Sequence, residues 1–424
     1  MFREKVIFGR AEKHTPMKKL LIFFTLLLSA GMAFSQNSWT QKGDFAGGKR
    51  YGCFTVVIGN KAYVGQGTNG VTAFADWWEY TPATDSWTQR ADFPGVARYV
   101  GGAVSINGKG YIGLGSSFNY DKLKDWWEYD PAADTWTKKQ QFPSAGRFGV
   151  ASFTVNNKGY ICFGNKGNAL GPLSKQLWEY DPVTDSWASK SPFPGHARYG
   201  SYAFSIGDKG YAGLGGKKDN QGNYKFYDDF WEYNPSIDMW TQKANYPERR
   251  SYPVGFVLND LGYVGLGNNN GTVNSKFYAY DPVLDSWSYQ TTLPANSRSV
   301  GIGFALNEKA YVGLGENFTT ATFFKDIWEY VPNQRFASNV ADQHETSTCA
   351  ATFTVNDHIL LPHLQEGVNA VRFRMFDVSG KLVESRLIVD SAPVYLDSHM
   401  SPGIYLITVA ADEYNSCTQK IAIR

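Results

Sequence analysis

The sequence lacks a strong excess of charge of either sign. Its Lys and Arg residues number 41 and its Asp and Glu residues 39, and no long run of Lys and Arg creates a basic patch. Proteins that bind nucleic acid neutralise phosphates with such positive charge. The composition therefore gives no electrostatic reason to expect nucleic acid as a partner.

Long apolar segments are missing after residue 36, although a transmembrane helix needs about 20 apolar residues. One shorter apolar run lies near the N-terminus. Residues 17–19 (Met-Lys-Lys) precede the apolar residues 20–28, and residues 33–35 (Ala-Phe-Ser) offer a small-residue cleavage site. This order is typical of a secretory signal peptide. We therefore predict a signal peptide over residues 1–35, with Met17 as an alternative start, and an exported mature chain without a transmembrane segment.

Cysteine is scarce, with only four residues in the chain. Cys53 and Cys162 fall in different repeats of the pattern described below, so we expect them to be buried thiols. Cys349 and Cys417 lie near the two ends of the C-terminal segment. An exported protein permits a disulfide, so this pair is a candidate disulfide, with two free thiols as the alternative.

Aromatic residues (16 %) and glycines (43) are abundant, whereas charged residues make up only 19 %. This composition is typical of an all-β protein with many turns. A tyrosine within an apolar strand recurs at intervals of 48, 49, 51, 52 and 48 residues, at Tyr63, Tyr111, Tyr160, Tyr211, Tyr263 and Tyr311. A period near 50 residues is typical of propeller blades.

A second tyrosine closes a later strand of each repeat, at Tyr80, Tyr129, Tyr180, Tyr233, Tyr280 and Tyr330. Seven residues after the first five of these stands a tryptophan, at Trp87, Trp136, Trp187, Trp240 and Trp287. The sixth repeat has alanine at that position, and an additional tryptophan, Trp39, precedes the first repeat. We therefore predict six blades, the last of which is closed by an N-terminal strand.

Each repeat predicts four strands separated by recognisable turns. The first strand begins at an arginine and ends in a two-residue turn such as Asn107-Gly108, because Gly, Asn and Asp tolerate the positive φ that tight hairpins require. The second strand has the pattern Tyr-x-Gly-Leu-Gly and the third the pattern Trp-Glu-Tyr. An Asp-Pro-x-x-Asp turn then leads to the fourth strand.

With these motifs, residues 36–333 resemble a kelch-repeat β-propeller. The tyrosine-to-tryptophan spacing of that family is present in five of the six repeats, but its adjacent glycines remain only at residues 215–216. The other repeats depart from the doublet, as in Gly-Leu-Gly at 113–115. The predicted fold class is all-β, a six-bladed kelch-type β-propeller closed by an N-terminal strand and followed by a small Ig-like β-sandwich. Because the repeat is divergent, the resemblance implies the fold and not the ligand.

The C-terminal segment follows a different pattern. Residues 334–348 are polar without a clear period, which predicts a linker, and about seven short strands follow in residues 349–424. The sequences at 376–381 (Phe-Asp-Val-Ser-Gly-Lys) and 400–405 (Met-Ser-Pro-Gly-Ile-Tyr), with the last five residues, resemble the C-terminal sorting domain of the type IX secretion system in Bacteroidetes. The Pro-Asn-Pro opening of that family is missing. The resemblance implies the type IX secretion machinery as a partner and a location at the cell surface or outside the cell, and the alternative is a generic Ig-like accessory module.

The connectivity predicts which propeller face carries a site. Strands alternate in direction, so the variable loops between second and third strands share a face with the loops that cross between blades. We call this the loop face. Each crossing loop ends in an arginine, and six guanidinium groups near one axis would suit a carboxylate ligand. The alternative is structural, namely that a repeat-wide arginine hydrogen-bonds carbonyls of the neighbouring blade. These candidate ligand-binding residues are Arg50, Arg98, Arg147, Arg198, Arg250 and Arg298.

The variable loops also carry aromatic residues beside Asn and Asp. Aromatic rings stack on the C–H faces of sugars while amides bind the hydroxyl groups. Tyr120, Tyr224, Tyr227 and Phe318 are therefore further candidates for binding a ligand. The alternative is that these aromatic side chains pack locally.

Few residues favour catalysis or metal binding. Galactose oxidase also uses a kelch propeller, but its copper site requires two histidines and a cysteine-linked tyrosine, whereas residues 37–333 contain only His196. We predict no catalytic residue, no metal site and no cofactor. The leading hypothesis is an exported protein whose loop face binds a glycan or protein ligand. The alternatives are a sugar-processing enzyme similar to N-acetylneuraminate epimerase (mutarotase) and a purely structural adhesin module.

Overall fold

A computed structural model describes residues 37–332, apart from 168–170 and 220. It also describes the strands within 351–423, with gaps at 357–358, 365–369, 378–381, 391, 396–402 and 411–415. The predicted signal peptide and linker lie outside the described residues, as do Cys349 and the side chain of Cys417. None of the described residues belongs to a helix with the length and apolar character needed to cross a membrane.

Six four-stranded antiparallel sheets follow one another along residues 38–331. Each innermost strand contacts that of the next sheet, and the sixth contacts the first, so the sheets form a closed ring. We number the sheets as blades 1 to 6. Their innermost strands are Phe54–Ile58, Gly102–Ile106, Phe148–Val155, Tyr202–Ile206, Val254–Leu258 and Ile302–Leu306.

The other strands of each blade follow outward from the axis. The second strands are Lys61–Gly65, Lys109–Gly113, Lys158–Asn165, Lys209–Gly213, Leu261–Gly265 and Lys309–Gly313. The third strands are Trp77–Thr81, Trp126–Asp130, Leu177–Asp181, Phe230–Asn234, Lys276–Asp281 and Ile327–Val331. The outer strands are Ser86–Arg90, Thr135–Lys139, Ser186–Lys190, Met239–Lys243, Ser286–Thr292 and, in blade 6, Ser38–Lys42.

Short two-stranded ribbons lie on the loop face. They pair Arg98–Tyr99 with Ser116–Ser117, Gly216–Lys218 with Tyr224–Phe226, Asn268–Asn269 with Thr272–Val273, and Glu316–Asn317 with Thr322–Phe323.

Blade 6 is closed by the N-terminal strand, as the extra tryptophan predicted. Ser38 pairs with Val331 and Lys42 with Ile327. The indole Nε1 of Trp39 donates a hydrogen bond to Thr291 Oγ1 at 3.0 Å, and its ring centroid lies 4.9 Å from that of Tyr330. The first and last strands of the propeller therefore belong to one sheet.

Contacts between blades explain why the repeat keeps its second tyrosine, its tryptophan and its turn aspartate. In blade 2, the hydroxyl of Tyr129 donates to Asp134 Oδ1 at 2.7 Å. The same oxygen accepts the backbone N–H of Ala91, which follows the outer strand of blade 1. Trp136 Nε1 donates to the carbonyl of Ala91 at 2.9 Å. Corresponding hydrogen bonds of the turn aspartate and the tryptophan link blades 3, 4 and 5 to their predecessors.

Turn chemistry also agrees with the sequence. Asn107 and Gly108 have φ of 49° and 76°, and the turn aspartate Asp134 has φ of 53°. These values lie in the left-handed region, where Asn, Asp and Gly are the least strained residues. The predicted hairpins are therefore confirmed at these positions.

A closed ring of backbone hydrogen bonds surrounds the propeller axis at the loop face. One residue per blade donates its N–H to the carbonyl of the corresponding residue in the preceding blade, over N···O distances of 2.6 to 3.2 Å. All six have φ between 52° and 67°, which places their N–H and C=O groups outside the ladders of their own blades. We call these residues the axial ring: Gly52, Val100, Gly149, Gly200, Tyr252 and Val300.

The C-terminal segment contains a three-stranded and a four-stranded sheet. The first is formed by Ala351–Asn356, Ile359–Leu364 and Val394–Tyr395. The second contains Leu382–Val389, Ala370–Asp377, Gly403–Ala410 and Ser416–Ile423. Arg372 forms an ion pair with Asp281 of blade 5. Strand Ile359–Leu364 carries no clear signal in the sequence because Pro362 interrupts it, and proline is disfavoured within sheets.

Cys53 and Cys162 are free thiols. Cys162 is buried, as expected, whereas Cys53 is half-buried. Burial raises the pKa of the Cys53 thiol to about 12. A thiol with such a pKa is a poor nucleophile at neutral pH.

Closure by the N-terminal strand can be tested at Trp39. The substitution Trp39→Ala removes the contacts with Tyr330 and Thr291, and we expect it to lower the free energy of unfolding by about 3 kcal/mol. Urea unfolding of the full chain measures this change. Thr40→Ala alters the exposed neighbour on the same strand and serves as the control. Equal stability of the two variants would contradict a closing role for Trp39.

Candidate functional site

The six repeat arginines lie beneath the loop face rather than on it. Arg250 is 6 % exposed and the other five are fully buried. In blade 2, Arg98 donates two hydrogen bonds of 2.7 Å to the carboxylate of Asp125. It also donates to the carbonyls of Val96 at 2.9 Å and Leu114 at 3.2 Å. One side chain thus binds the crossing loop, the Gly-Leu-Gly segment and the start of the third strand.

The same pattern recurs in three other blades and changes in two. Carboxylates occupy the position of Asp125 in blades 1, 4 and 6, where the pairs are Arg50–Asp76, Arg198–Asp229 and Arg298–Asp326. Arg147 instead binds neutral groups, with Ser174 Oγ at 2.6 Å and Gln176 Oε1 at 3.0 Å. Arg250 pairs with Glu248.

The ion pairs between the repeat arginines and their carboxylates change the pKa values of the paired groups. Burial alone would raise the pKa of Asp125, but the hydrogen bonds and charge of Arg98 outweigh it and hold that pKa below its ordinary value. The pKa of Asp326 is lowered in the same way by Arg298. Burial without a carboxylate lowers the pKa of Arg147 to about 10.

The structural alternative expected each repeat arginine to hydrogen-bond carbonyls of the neighbouring blade. The carbonyls that Arg98 binds instead lie in the crossing loop before it, at Val96, and after the second strand of its own blade, at Leu114. Five of the repeat arginines donate to backbone carbonyls of the propeller itself, and their other partners are carboxylates or, for Arg147, a hydroxyl and an amide oxygen. A ligand carboxylate would have to displace an internal partner at a buried site, which is costly. Ligand binding by these arginines stays a prediction, and the site described next does not use them.

A second layer of residues lines the axis just above the axial ring. The residue after each repeat arginine faces the opposite way from that buried side chain, because side chains alternate along an extended segment. It pairs through its backbone with the residue that follows the Gly-x-Gly segment or its equivalent. We call these twelve residues the axial mouth: Tyr51/Thr68, Tyr99/Ser116, Phe148/Asn165, Tyr199/Gly216, Ser251/Asn268 and Ser299/Glu316.

Four of these twelve residues are aromatic, and their rings contact one another in pairs. The rings of Tyr51 and Tyr99 meet edge to face with centroids 6.1 Å apart, and Tyr199 contacts Phe148 at 5.8 Å. Tyr252 of the axial ring lies 6.0 Å from Tyr199. Burial raises the pKa of the Tyr252 hydroxyl, and Tyr199, Tyr99 and Glu316 raise it further. Groups from three other blades thus converge on Tyr252, which places it near the axis.

Glu316 is the acidic residue of the axial mouth. It is 6 % exposed, and burial raises the pKa of its carboxyl to about 8. Its negative charge, when present, raises the pKa values of Tyr51 and Tyr99. Glu316 is therefore largely protonated at neutral pH and then carries an O–H donor.

The aromatic residues chosen from the sequence divide into two groups. Tyr120 and Tyr224 are 75 % and 46 % exposed and border the mouth, since Tyr120 acts on the pKa of Tyr51 and Tyr224 on that of Tyr199. Phe318 is exposed on the blade 6 loop. Tyr227 is buried and lies 4.2 Å from the Arg198 guanidinium, so it packs locally, which was the stated alternative for these residues.

Sequence reasoning missed Glu316, Ser299, Tyr51, Tyr99 and Tyr252. Most of these residues lie directly after a position that is the same in nearly every repeat, and they themselves vary. The residue after each repeat arginine and the residue after each Gly-x-Gly change from blade to blade, and Glu316 is the acidic member of the second set. These positions resemble strand residues in the sequence, and only the geometry shows that they face the axis.

A separate cavity of about 340 Å³ lies along the innermost strands. Its lining includes Thr55, Ser105, Thr154, Ser205 and Val257. Among the described residues that line it there is no Asp or Glu. The cavity therefore offers no pair of carboxylates for acid–base chemistry.

Metal ligands do not cluster in the described ranges, where no group of three or more His, Cys, Asp or Glu side chains is placed to hold an ion. The ring of His196 stacks on that of Tyr227 at 5.3 Å.

The structural role of the arginines can be tested at Asp125. Asp125→Asn keeps the shape but leaves the Arg98 charge buried without a counter-charge, and we expect the free energy of unfolding to fall by about 3 kcal/mol at pH 7. Because the folded pKa of Asp125 is lowered, its stabilisation is present above the unfolded value of about 3.9 and is lost as the pH falls.

Urea unfolding at pH 7 and at pH 3 should thus show a difference between Asp125→Asn and the unchanged chain that shrinks in acid. Asp92→Asn alters an exposed carboxylate and is the matched control. An effect of Asp125→Asn no larger than that of the control would show that the pair does not stabilise the blade.

No family model matches the chain. A region of 85 residues, 20 % of the chain, is 34 % identical to Kelch-like protein 21 of Rattus norvegicus. The same protein of Bos taurus and of Mus musculus is 33 % identical over 85 residues. The match spans 13 % of the length of each relative.

A solved structure described as "Structure of YjhT" is similar with a TM-score of 0.58 at 18 % identity. The match covers 68 % of this chain and 95 % of that one. At such identity the likeness concerns the fold alone. Together with the six closed blades, it identifies residues 38–331 as a kelch-type β-propeller.

Proposed function

We propose that this chain is an exported binding protein whose propeller recognises a carbohydrate at the axial mouth of its loop face. One observation carries the proposal. Tyrosines from blades 1, 2, 4 and 5 converge around the axis at Tyr51, Tyr99, Tyr199 and Tyr252. Such rings present an apolar face to the C–H groups of a sugar and a hydroxyl to its oxygens.

The surroundings of the mouth support the same ligand class. Tyr120 and Tyr224 extend the aromatic surface outward and are exposed. Binding residues are commonly found on loops that a rigid scaffold positions. The alternative ligand for the loop face is a protein that inserts a polar segment into the axial mouth.

Carbohydrate binding can be tested by screening the full chain on a glycan array. Tyr99→Ala and Tyr224→Ala each remove an aromatic surface at the mouth, and we expect either to weaken binding by about tenfold, equivalent to about 1.4 kcal/mol. Tyr289→Ala removes a tyrosine on the outer strand of blade 5 that is similarly exposed, at 53 %, and is the matched control. Absence of binding to any glycan, or an equal loss in the control, would contradict the proposal.

Delivery to the cell exterior forms part of the proposal. The signal peptide of residues 1–35 would direct export, and residues 349–424 would act as the label read by the type IX secretion machinery. Removal of residues 349–424 should then retain the chain inside the outer membrane of a host with that machinery, as fractionation and immunoblotting would show. Unchanged delivery would favour the generic accessory module.

A second candidate is a sugar-processing enzyme similar to N-acetylneuraminate epimerase. Glu316 favours this function, because a carboxyl with a pKa near 8 suits proton transfer at neutral pH. The candidate predicts accelerated exchange between the anomers of N-acetylneuraminate, measured by proton NMR, and loss of the acceleration in Glu316→Gln. Binding without acceleration would leave the first proposal as the better one.

A further inference from the structure

We infer that Glu316 and Ser299 form the polar floor of a subsite that takes the hydroxyl groups of an uncharged sugar and excludes acidic sugars. This inference rests on the proposed carbohydrate binding at the axial mouth and specifies its ligand class. It arises from two side chains that the fold places together, each with one buried oxygen that has no hydrogen-bond partner among the described residues.

The backbone brings these residues side by side. The N–H of Ser299 donates to the carbonyl of Glu316 at 2.9 Å, and the N–H of Glu316 donates to the carbonyl of Ser299 at 2.9 Å. Directly opposed residues of an antiparallel pair point to the same face. The Ser299 hydroxyl and the Glu316 carboxyl are therefore directed to one side, which is the axial side.

Both side chains have unused hydrogen-bonding capacity. Ser299 is fully buried and Glu316 is 6 % exposed. Within the described part of the chain, neither Ser299 Oγ nor Glu316 Oε1 has a hydrogen-bond partner. A buried polar atom without a partner is destabilising unless something binds it. Two hydroxyl groups of a sugar could satisfy both atoms at once.

The charges around Glu316 favour binding of neutral sugars over acidic ones. No ion pair among the described residues involves Glu316, and burial alone accounts for its raised pKa. The repeat arginine of the same blade, Arg298, is fully buried and is bound to Asp326. Lys122 is held at the rim by Ser116 Oγ at 3.2 Å. A sugar carboxylate at the floor would lose its hydration without gaining a counter-charge, which is unfavourable.

The test compares sugar classes and three variants of the full chain. The probes are neutral glycans on an array, each printed beside its sialic acid- or glucuronate-terminated counterpart. We expect the neutral member of a pair to bind at least about tenfold more tightly. Glu316→Leu should weaken binding of the neutral glycan by about tenfold, and Ser299→Ala by about threefold, because each removes a hydrogen bond. Glu316→Gln keeps a donor and should remain within about threefold of the unchanged protein.

The ionisation of Glu316 gives an independent readout. Calorimetric titration of the best neutral glycan should show weaker binding at pH 9 than at pH 7, because ionised Glu316 loses its donor. The titratable groups that face Glu316 are Tyr51, Tyr99 and Tyr252, whose pKa values are all raised and which stay protonated over this range. The pKa of Lys122 at the rim is lowered by burial. Glu316→Gln retains all four groups, so its binding should not change with pH in the way that wild-type binding does.

The outcomes separate this inference from the proposed function. If neutral glycans bind with unchanged affinity in Glu316→Leu, or if acidic glycans bind as tightly as neutral ones, the inference is overturned while carbohydrate binding stands. If no glycan binds, both fall. Thermal unfolding of each variant checks that it is folded, and Leu at this buried position should not lower the melting temperature. If Glu316→Leu does not fold, the comparison of Ser299→Ala and Glu316→Gln across pH decides alone.

Discussion

A buried guanidinium group in each blade is the interaction on which the loop face depends. Arg98 binds the carbonyl of Val96 before it, the carbonyl of Leu114 after the second strand, and Asp125 at the start of the third. Leu114 has a φ of 56°, a conformation that side chains with a Cβ disfavour. A hydrogen bond to its carbonyl helps to hold that conformation. Blade 3 keeps the arginine although its carboxylate is replaced by Gln176. The arginines of blades 1, 2, 3, 4 and 6 all donate to backbone carbonyls, whereas Arg250 of blade 5 pairs with Glu248 and two of its nitrogens have no hydrogen-bond partner among the described residues.

This internal use of charge determines which groups line the axial mouth. With the six guanidinium groups buried beneath it, the mouth carries aromatic rings, hydroxyl groups, the amides of Asn165 and Asn268, and one carboxyl, that of Glu316. The axial ring forms the next layer toward the innermost strands. Its hydrogen bonds use the backbone N–H and C=O groups of Gly52 and its equivalents, so the proposed binding would depend on side chains. The candidate site is aromatic and polar rather than cationic.

The sequence predicted the architecture well because the architecture is repeated. The tyrosine and tryptophan spacing, the turn aspartates and Trp39 each appear where blades contact one another, and they gave the blade number and the closing strand. The site was predicted less well for a physical reason. Arg98 and Arg147 recur from blade to blade as Tyr129 does, so recurrence alone could not show whether a charged residue is buried. Glu316 occurs once and sits beside glycines in an ordinary strand pattern, and its raised pKa comes entirely from burial, which no local sequence reveals.

Because the two ends of the propeller share blade 6, the order in which its strands can pair during folding is constrained. Ser38 cannot pair with Val331 until nearly all of the propeller has been synthesised. Contacts between such distant segments form late because the entropy cost of loop closure opposes them. Before this closure, the edge of strand Ile327–Val331 is unpaired and the axial ring is open between Gly52 and Val300. Unpaired edges are prone to non-native pairing. The axial mouth is therefore complete only when the first strand of the propeller has paired with strand Ile327–Val331.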